Sequence, residues 1–434
     1  MARRTASSTP RCSQEESNSR QRKTHRKSRL GCRNCKIRRI KCDETAPSCE
    51  KCLDFGVTCN YNSSVPDLQP RSGSTEGISM DSTLEKHSPA TGSYVLDMVN
   101  IYLSEDQSPT TATYGGLRLD QSGMERLERF NKRTVLTMGT KVTPKSYRTG
   151  IVQLACIHPF LMHLVQSLTV AHDRFCAVSA TTQPTTDEIY HLHHGIRGMH
   201  HKLSRGIRPE DRDALFMSAS VLGVMMFYQI EASRVEDVWP LGTGDFAWVS
   251  MSDGKKAVWR ATNPLRQDSM FRPVAEVYEK HFRFTEKEPT NTISVFDHLC
   301  SHESSPVAVP NPYHKTAQFL KSLLALELTD TTWMRFFVFI CHVDPPFRAL
   351  LEDKDPWAML MLAYWFMKIC RGQWWISTRA ILQGQAICIY LERYHADDVL
   401  LQKAIPRPKL EFEEAEREGW GGYALDKRSG LITV

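Results

Sequence analysis

Residues 31–59 read GCRNCKIRRIKCDETAPSCEKCLDFGVTC and hold six of the thirteen cysteines of the 434-residue chain. Their spacing, C-x2-C-x6-C-x6-C-x2-C-x6-C, is one half-motif written twice. A C-x2-C pair lets two thiolates bind one tetrahedral zinc from a tight turn. Six sulfurs cannot fill the positions of two tetrahedral ions unless two sulfurs are shared. The spacing therefore predicts two Zn²⁺ ions, held by Cys32, Cys35, Cys42, Cys49, Cys52 and Cys59.

The sequence indicates an intracellular protein, and in that compartment clustered cysteines favour metal binding over disulfides. The start, MARRTASSTPRCSQEESN, lacks the apolar segment of a secretory signal. The longest apolar stretch, residues 357–367, is eleven residues long, whereas a membrane-spanning helix needs about 20. We therefore expect a soluble intracellular protein without membrane contact, in which clustered thiols bind metal.

The cysteine segment is too short to fold on buried apolar surface alone. Metal binding must then supply its folding free energy, on the order of 10 kcal/mol or more for each structural zinc. An all-sulfur shell leaves no open position for water, and no His or Glu nearby is placed as a base. The predicted zinc ions are structural rather than catalytic.

Positive charge is concentrated at the same end of the chain. The net charge is +6, but residues 1–62 carry fifteen Lys or Arg against six Asp or Glu. This asymmetry is typical of nucleic-acid binding, although a solvated basic tail is the alternative. The run RQRKTHRKSR suits a nuclear import signal and an arm along the phosphate backbone. Its basic residues are Arg20, Arg22, Lys23, Arg26, Lys27 and Arg29.

The basic residues among the cysteines suggest how DNA would be read. RNCKIRRIKC, residues 33–42, contains no helix breaker, so we predict a short helix running from the first cysteine pair. Such a helix fits the major groove, where Arg and Lys donate to guanine O6 and N7.

These six spacings, the basic run after the second cysteine and Pro47 before the fourth resemble the fungal zinc binuclear cluster (Zn₂Cys₆) transcription factors. The resemblance implies a nucleus-located activator of RNA polymerase II genes that binds double-stranded DNA at CGG-like triplets. It also implies that Cys32 and Cys49 are the shared sulfurs and that Arg38 and Arg39 read bases. Family members commonly have Lys at those two positions, so the base preference is open.

Other cations of the cluster are predicted to contact phosphates, which position a protein without reading sequence. For each of them a solvated side chain is the alternative. They are Arg33, Lys36, Lys41 and Lys51.

Beyond the cluster the composition changes twice. Residues 62–116 are rich in Ser, Thr, Pro, Gly and Asp, which favours a flexible linker, and they contain no coiled-coil heptads. From about residue 119 the apolar positions recur at helical spacing, with Pro159, Pro209 and Pro356 near predicted helix starts. We predict a mostly α protein: a disordered basic arm (1–27), a DNA-binding domain (28–62), a linker (63–118) and a large all-α regulatory domain (119–434).

The order of the helical segments resembles the regulatory domain of the sterol uptake control protein group. The likeness rests on LERFNKRTVLTMGT, LACIHPFLMHLVQSLTVAH, DALFMSASVLGVMMF and PWAMLMLAYWFM followed by WW. It implies that the domain controls activation and that some members sense a sterol. In a DNA-binding regulator, we expect this domain to bind transcriptional coactivators or an effector. Many relatives with this architecture instead regulate secondary-metabolite gene clusters. Dimerisation through this domain and binding of a small hydrophobic ligand are left open.

Two further groups of residues are candidate sites. HLHHGIRGMHH places His191, His194, His200 and His201 close to Glu188, but we expect a solvated surface because two glycines interrupt the helix there. Met and Trp residues could line an apolar pocket, although they more often form plain core. No nucleophile and base pair up. The alternative to a DNA-binding regulator is an enzyme or hydrophobic-ligand-binding protein that carries the zinc cluster as an accessory. The candidates for the pocket are Met217, Met225, Met226, Met359, Met361, Met367, Trp357, Trp365, Trp374 and Trp375.

Overall fold

The structure is a computed structural model in two compact units, Met1–Lys86 and His87–Val434. Arg39 and the basic run at residues 20–29 lie outside the residues that it describes. The described residues are 30–38, 40–54, 57–61, 89–105, 117–139, 145–177, 182–282, 295–300, 311–329 and 331–418.

The described residues of the first unit form two short helices, α1 (Arg33–Ile37) and α2 (Glu50–Leu53). In its described part, the buried apolar cluster consists of the six cysteines and Val57. Sulfur therefore occupies the place that a hydrophobic core takes in larger domains. Helix α1 ends at Ile37 with Arg38 as its C-cap, so it is shorter than the segment 33–42 that lacked a helix breaker.

The second unit is helical throughout its described residues, which contain no β-strand, and the predicted mostly α class is confirmed. Short 3₁₀ helices connect its α-helices. The α-helices are α3 (Pro89–Glu105), α4 (Gln121–Lys132), α5 (Lys145–Ile157), α6 (Pro159–Cys176), α7 (Thr186–Ser204), α8 (Arg212–Tyr228), α9 (Met251–Thr262), α10 (Arg272–Phe282), α11 (His314–Leu324), α12 (Trp333–His342), α13 (Pro345–Glu352), α14 (Pro356–Ile369), α15 (Trp374–Tyr394), α16 (Val399–Ala404) and α17 (Pro406–Arg417).

Helix α14 lies in the middle of the core because it is apolar on every side. It starts as its sequence predicts: the Asp355 carboxylate accepts a hydrogen bond from the Ala358 amide at 2.9 Å, and Pro356 occupies the first turn. Gly372 falls between α14 and α15, whereas Gly384 lies inside α15. A Cβ at Gly384 would come within 2.3 Å of the Phe412 ring, so this glycine lets α17 pack closely.

Helices α6 and α7 pack at short range through two glycines. A Cβ at Gly195 would lie 2.5 Å from Leu164 Cδ2, and one at Gly198 would lie 2.7 Å from Phe160 Cβ. The expectation that these glycines interrupt the helix is wrong, because α7 runs unbroken from Thr186 to Ser204. They are needed for helix contact rather than for a turn.

A buried arginine joins α15 to the end of α8. The Arg379 guanidinium donates to the carbonyl oxygens of Phe227, Met226 and Gln229 at 2.7, 3.3 and 2.5 Å. Carbonyls at a helix C-terminus lack partners within the helix. Arg379 therefore satisfies the end of α8 from a neighbouring helix, and burial lowers its pKa to about 10.

Helix α3 differs from the flexible linker expected over residues 63–118. Its Leu103 is fully buried, and Asn100 exchanges hydrogen bonds with the Leu119 backbone at 2.7 and 3.0 Å. Part of the Ser- and Thr-rich region is thus attached to the helical unit; the four predicted domain boundaries themselves stay predictions. Across the described helices, none combines the length and apolarity required to cross a membrane.

Candidate metal centre and DNA-binding surface

The six cysteine sulfurs of the first unit form two overlapping groups of four. One group is Cys32, Cys35, Cys42 and Cys49, and the other is Cys32, Cys49, Cys52 and Cys59. Within each group all sulfurs lie within 4.8 Å of one another. Cys32 and Cys49 belong to both groups, as sulfurs shared by two ions would.

The spacing of the sulfurs fits zinc. The Sγ atoms of Cys32 and Cys52 are 3.5 Å apart, and those of Cys35 and Cys49 are 3.6 Å apart. A tetrahedral zinc with Zn–S bonds of about 2.3 Å places its sulfurs about 3.8 Å apart. Disulfide sulfurs would be about 2.05 Å apart. The protein thus holds two structural zinc ions, and the predicted cofactor is confirmed.

The repeated half-motif has a repeated local structure. Cys32 is the N-cap of α1 and Cys49 is the N-cap of α2, both with extended backbone. Cys32 Sγ accepts a hydrogen bond from the Cys35 amide at 3.4 Å. Each C-x2-C pair therefore lies on the first turn of a helix, which brings its two sulfurs to the same side.

Two asparagines that the sequence analysis did not single out hold α1 in place. The Asn34 amide donates to Asn60 Oδ1 at 2.7 Å, and Asn34 Nδ2 donates to the Thr58 carbonyl at 2.9 Å. Both asparagines are buried. These bonds tie the helix of the first half to the segment around Cys59, which belongs to the second thiol group.

The second helix is capped from the segment between the two halves. The Asp43 carboxylate accepts hydrogen bonds from the Thr45 hydroxyl at 2.5 Å and from the Glu50 amide at 3.0 Å, which together lower its pKa. Arg38 Nη1 donates to the Lys51 carbonyl at 2.9 Å, from the end of α1 to α2. Arg38 is therefore oriented by the second half-motif.

The predicted phosphate-contacting cations lie on the surface of the first unit. The side chains of Arg33, Lys36, Lys41 and Lys51 are exposed, and Arg38 is half-buried. Lys51 Nζ lies 3.6 Å from an Asp54 carboxylate oxygen. The structure describes five of the six predicted DNA-contacting residues; Arg39 lies outside its described residues. Whether these side chains contact DNA stays a prediction.

Crowding of the thiols perturbs their ionisation. Burial and hydrogen bonding among the thiols raise the pKa of Cys52 to about 11, and burial raises the pKa of Cys35 and of Cys49 further. Burial also raises the pKa of Cys32, but hydrogen bonds with the Cys35 amide and with neighbouring thiols outweigh this effect and lower the pKa to about 7. Six thiols in this space cannot all ionise without cations, which is the condition that zinc meets.

The sequence predicts that the histidines of α7 form a solvated surface, and the structure agrees only in part, because some of them are partly buried. His163 of α6 is buried, and its Nδ1 lies 2.9 Å from His191 Nδ1, while its ring stacks on His194. Glu188 pairs with Arg174 through two oxygens at 3.0 Å and so is already neutralised. Among the described residues, groups of three or more ligands close enough for a metal are found only in the cysteine cluster.

Comparison with known proteins agrees with this geometry. Residues 30–67 match the fungal Zn(2)-Cys(6) binuclear cluster domain. A Zn(2)-C6 fungal-type transcription factor of Gibberella zeae is 26% identical over 404 residues, which cover 82% of this chain and 80% of that protein.

Two further fungal proteins are similar to shorter parts of the chain. Sterol uptake control protein 2 of Saccharomyces cerevisiae is 29% identical over 136 residues, covering 28% of this chain and 15% of that protein. The aspercryptin biosynthesis cluster-specific transcription regulator of Emericella nidulans is 26% identical over 165 residues, covering 34% of this chain and 24% of that protein. The chain therefore carries a fungal Zn(2)-Cys(6) binuclear cluster domain and is similar, over most of its length, to a fungal Zn(2)-C6 transcription factor.

Proposed function

We propose that this protein is a nuclear, sequence-specific regulator of RNA polymerase II genes that binds CGG-like sites and acts as an activator. The cluster domain and the relatives support a DNA-binding transcription regulator. The single observation that carries the proposal is the pair of thiol groups sharing Cys32 and Cys49, which presents the basic residues of α1 on a zinc-stabilised scaffold.

In this proposal the six cysteines are the zinc ligands, and Cys32 and Cys49 bridge the ions. Arg38 and Arg39 read guanine edges, while Arg33, Lys36, Lys41 and Lys51 neutralise phosphates. The exposure of those four cations supports the phosphate role. The run at residues 20–29 serves nuclear import, and its cations add sequence-independent affinity for DNA.

The helical unit is proposed to regulate rather than to catalyse. Its relatives are named as transcription factors, and it is the part through which coactivators would be recruited. The names of the shorter matches suggest two classes of target gene for this chain: those of sterol or lipid metabolism, and those of one biosynthetic cluster.

Genome-wide occupancy of the tagged protein in its native cell tests the proposal. We expect peaks centred on CGG-like motifs, and the neighbouring genes decide between the two classes of target. A matched strain carrying Cys32→Ala should lose the peaks. If the native protein gives no enriched peaks under inducing and non-inducing conditions, the proposal fails.

A further inference from the structure

The helical unit contains a cavity of about 540 Å³ lined by residues of α7, α8, α9, α10, α12 and α15. Ligand sites typically measure about 300–1,000 Å³ and are lined mainly by apolar side chains. Of the methionines and tryptophans named from the sequence, Met226 and Trp375 line this cavity. Trp365, Met359 and Met361 are instead fully buried in the core.

One charged side chain contributes to the cavity wall. Lys255 of α9 is the sole charged residue among the described residues that line it. Its Nζ lies 5.3 Å from the centroid of the Tyr278 ring, and no carboxylate in the described parts of the chain lies within ion-pair distance. Burial lowers the pKa of Lys255. The ammonium is thus partly desolvated without a counter-charge from the described residues, a state that an anion would stabilise.

Two further residues of the wall carry buried polar atoms. Ser252 Oγ and Trp333 Nε1 are buried and have no hydrogen-bond partner among the described residues. An indole N–H can only donate, and a serine hydroxyl can donate. Both atoms are covered in this structure, so the group of the wall that complements an anionic oxygen group, such as an ionised carboxylate, is the Lys255 ammonium.

We propose that this cavity binds an amphipathic molecule with an apolar body and one anionic oxygen group, of which a long-chain carboxylate is the simplest example, with the anion beside Lys255. The apolar body would pack on the aromatic and methionine side chains of the wall. This inference deepens the proposed function and rests on it for one point, that occupancy of the cavity regulates transcription.

Equilibrium dialysis of the zinc-loaded full chain against radiolabelled palmitate and hexadecanol tests the site, because the two probes share an apolar chain and differ in charge. We expect palmitate to bind at least tenfold more tightly than hexadecanol. Lys255→Met should remove that preference by weakening palmitate alone, and Lys255→Arg should retain it. Lys403→Met, an exposed position on α16, is the matched control and should change neither affinity.

A second variant tests the location of the site. Gly223 of α8 lines the cavity, and a Cβ there would meet no atom within 4 Å. Gly223→Leu should therefore fold, with a melting temperature no lower than that of the native protein, yet weaken the binding of both palmitate and hexadecanol. Full binding of both probes by this variant would overturn the proposal.

Three further results would refute the carboxylate assignment: equal affinity of the native protein for both probes, tighter binding of ergosterol than of palmitate, or unchanged palmitate affinity in Lys255→Met. Binding of the same preparation to a CGG-containing duplex is measured separately. Loss of that DNA binding with normal palmitate binding would refute the proposed function and leave the ligand site intact.

Discussion

The Cys32 and Cys49 sulfurs lie 3.7 Å apart although the two residues are seventeen positions apart in the chain. Each begins a helix, and each belongs to both four-thiol groups. The two half-motifs are therefore joined by the residues that start them, and neither zinc site can be complete without a sulfur from the other half.

The shared sulfurs make a prediction about zinc stoichiometry. Cys49→Ala removes a ligand from both groups, so the zinc content should fall from two ions to less than one per chain. Cys42→Ala removes a ligand from one group and should retain about one ion. Elemental analysis after gel filtration measures this, with Cys156→Ala in the helical unit as a control that keeps both ions. Two zinc ions in purified Cys49→Ala would rule out the shared-sulfur arrangement.

The proposed roles of the cations, base reading by Arg39 and phosphate contact by Lys36, predict different effects on DNA binding. Arg39→Ala should cost about 1–3 kcal/mol at CGG-containing duplexes and little at unrelated ones, because a base-edge contact is lost. Lys36→Ala should weaken binding to both kinds of duplex alike. It should also reduce the slope of log affinity against log salt concentration by about one, because one phosphate contact is lost. Fluorescence anisotropy at several salt concentrations distinguishes these patterns, with zinc content as the check on folding. Equal loss on both duplexes for Arg39→Ala would assign it to the backbone instead.

The asparagine contact predicts a loss of zinc affinity without loss of a ligand. Asn60→Ala leaves the buried Asn34 amide without its acceptor, which costs about 1–3 kcal/mol. Since folding and zinc binding of the first unit are coupled, this should appear as zinc binding weaker by roughly 5–150-fold. Titration against a competing chelator measures it. Thr58→Ala keeps the Asn60 side chain and the Thr58 carbonyl, and so keeps both hydrogen bonds of Asn34. It is the control, and equal zinc affinity in the two variants would contradict the argument.

The helix contact at Gly195 predicts opposite effects for two glycine substitutions. Gly195→Ala places a methyl group 2.5 Å from Leu164 Cδ2, so α6 and α7 must separate, at a cost of about 1–3 kcal/mol. Gly223→Ala meets no neighbour and gains helix propensity, so it should be neutral or stabilising by about 0.5–1 kcal/mol. Thermal unfolding of both variants tests this. A melting temperature of Gly195→Ala at or above that of the native protein would show that the close approach is not needed.

The histidine pair predicts how stability depends on pH. Burial and the neighbouring His191 lower the pKa of His163 to about 3, and burial lowers that of His191 to about 4. An unfolded histidine has a pKa of about 6.5, so between these values the unfolded chain binds more protons. Stability of the helical unit is thus full above about pH 6.5 and falls as the pH drops toward 3.

Replacing both histidines should flatten that dependence. The slope that each histidine contributes is at most about 1.4 kcal/mol per pH unit. Urea unfolding of His163→Gln/His191→Gln between pH 4 and 7 should give a shallower decline than the native protein shows. His200→Gln, at an exposed position of α7, should follow the native curve. If the free energy of unfolding of the double variant depends on pH as steeply as that of the native protein, groups other than His163 and His191 cause the loss of stability in acid.

The sequence predicts those features of this protein that depend on local spacing. The cysteine intervals indicate two zincs because the ligand count follows from chemistry alone. Asp355 and Pro356 mark a helix start because the cap acts within four residues. Helix α3 is not predicted, since its Ser- and Thr-rich surroundings suggest a linker and its stability comes from contacts such as that of Asn100 with Leu119.

Features that depend on contacts between residues far apart in the chain are not predicted from the sequence. Gly195 looks like a helix breaker until Leu164 is placed against it. Asn34 lies among basic residues, and its role depends on Asn60, twenty-six positions away. Lys255 is one of many lysines, and only the packing of α8, α9, α10 and α12 makes it the charged residue of an apolar wall.

The first unit has sulfur where the second has a hydrophobic core, so folding of the first unit depends on zinc and folding of the second does not. When a cell runs short of zinc, we expect the helical unit to persist while the cluster unfolds. Under the proposed function, such a chain would still engage coactivators but could no longer bring them to a promoter. Zinc scarcity would then turn the proposed activator into a competitor of its own intact copies, a dominant-negative effect that grows with the fraction of chains lacking metal.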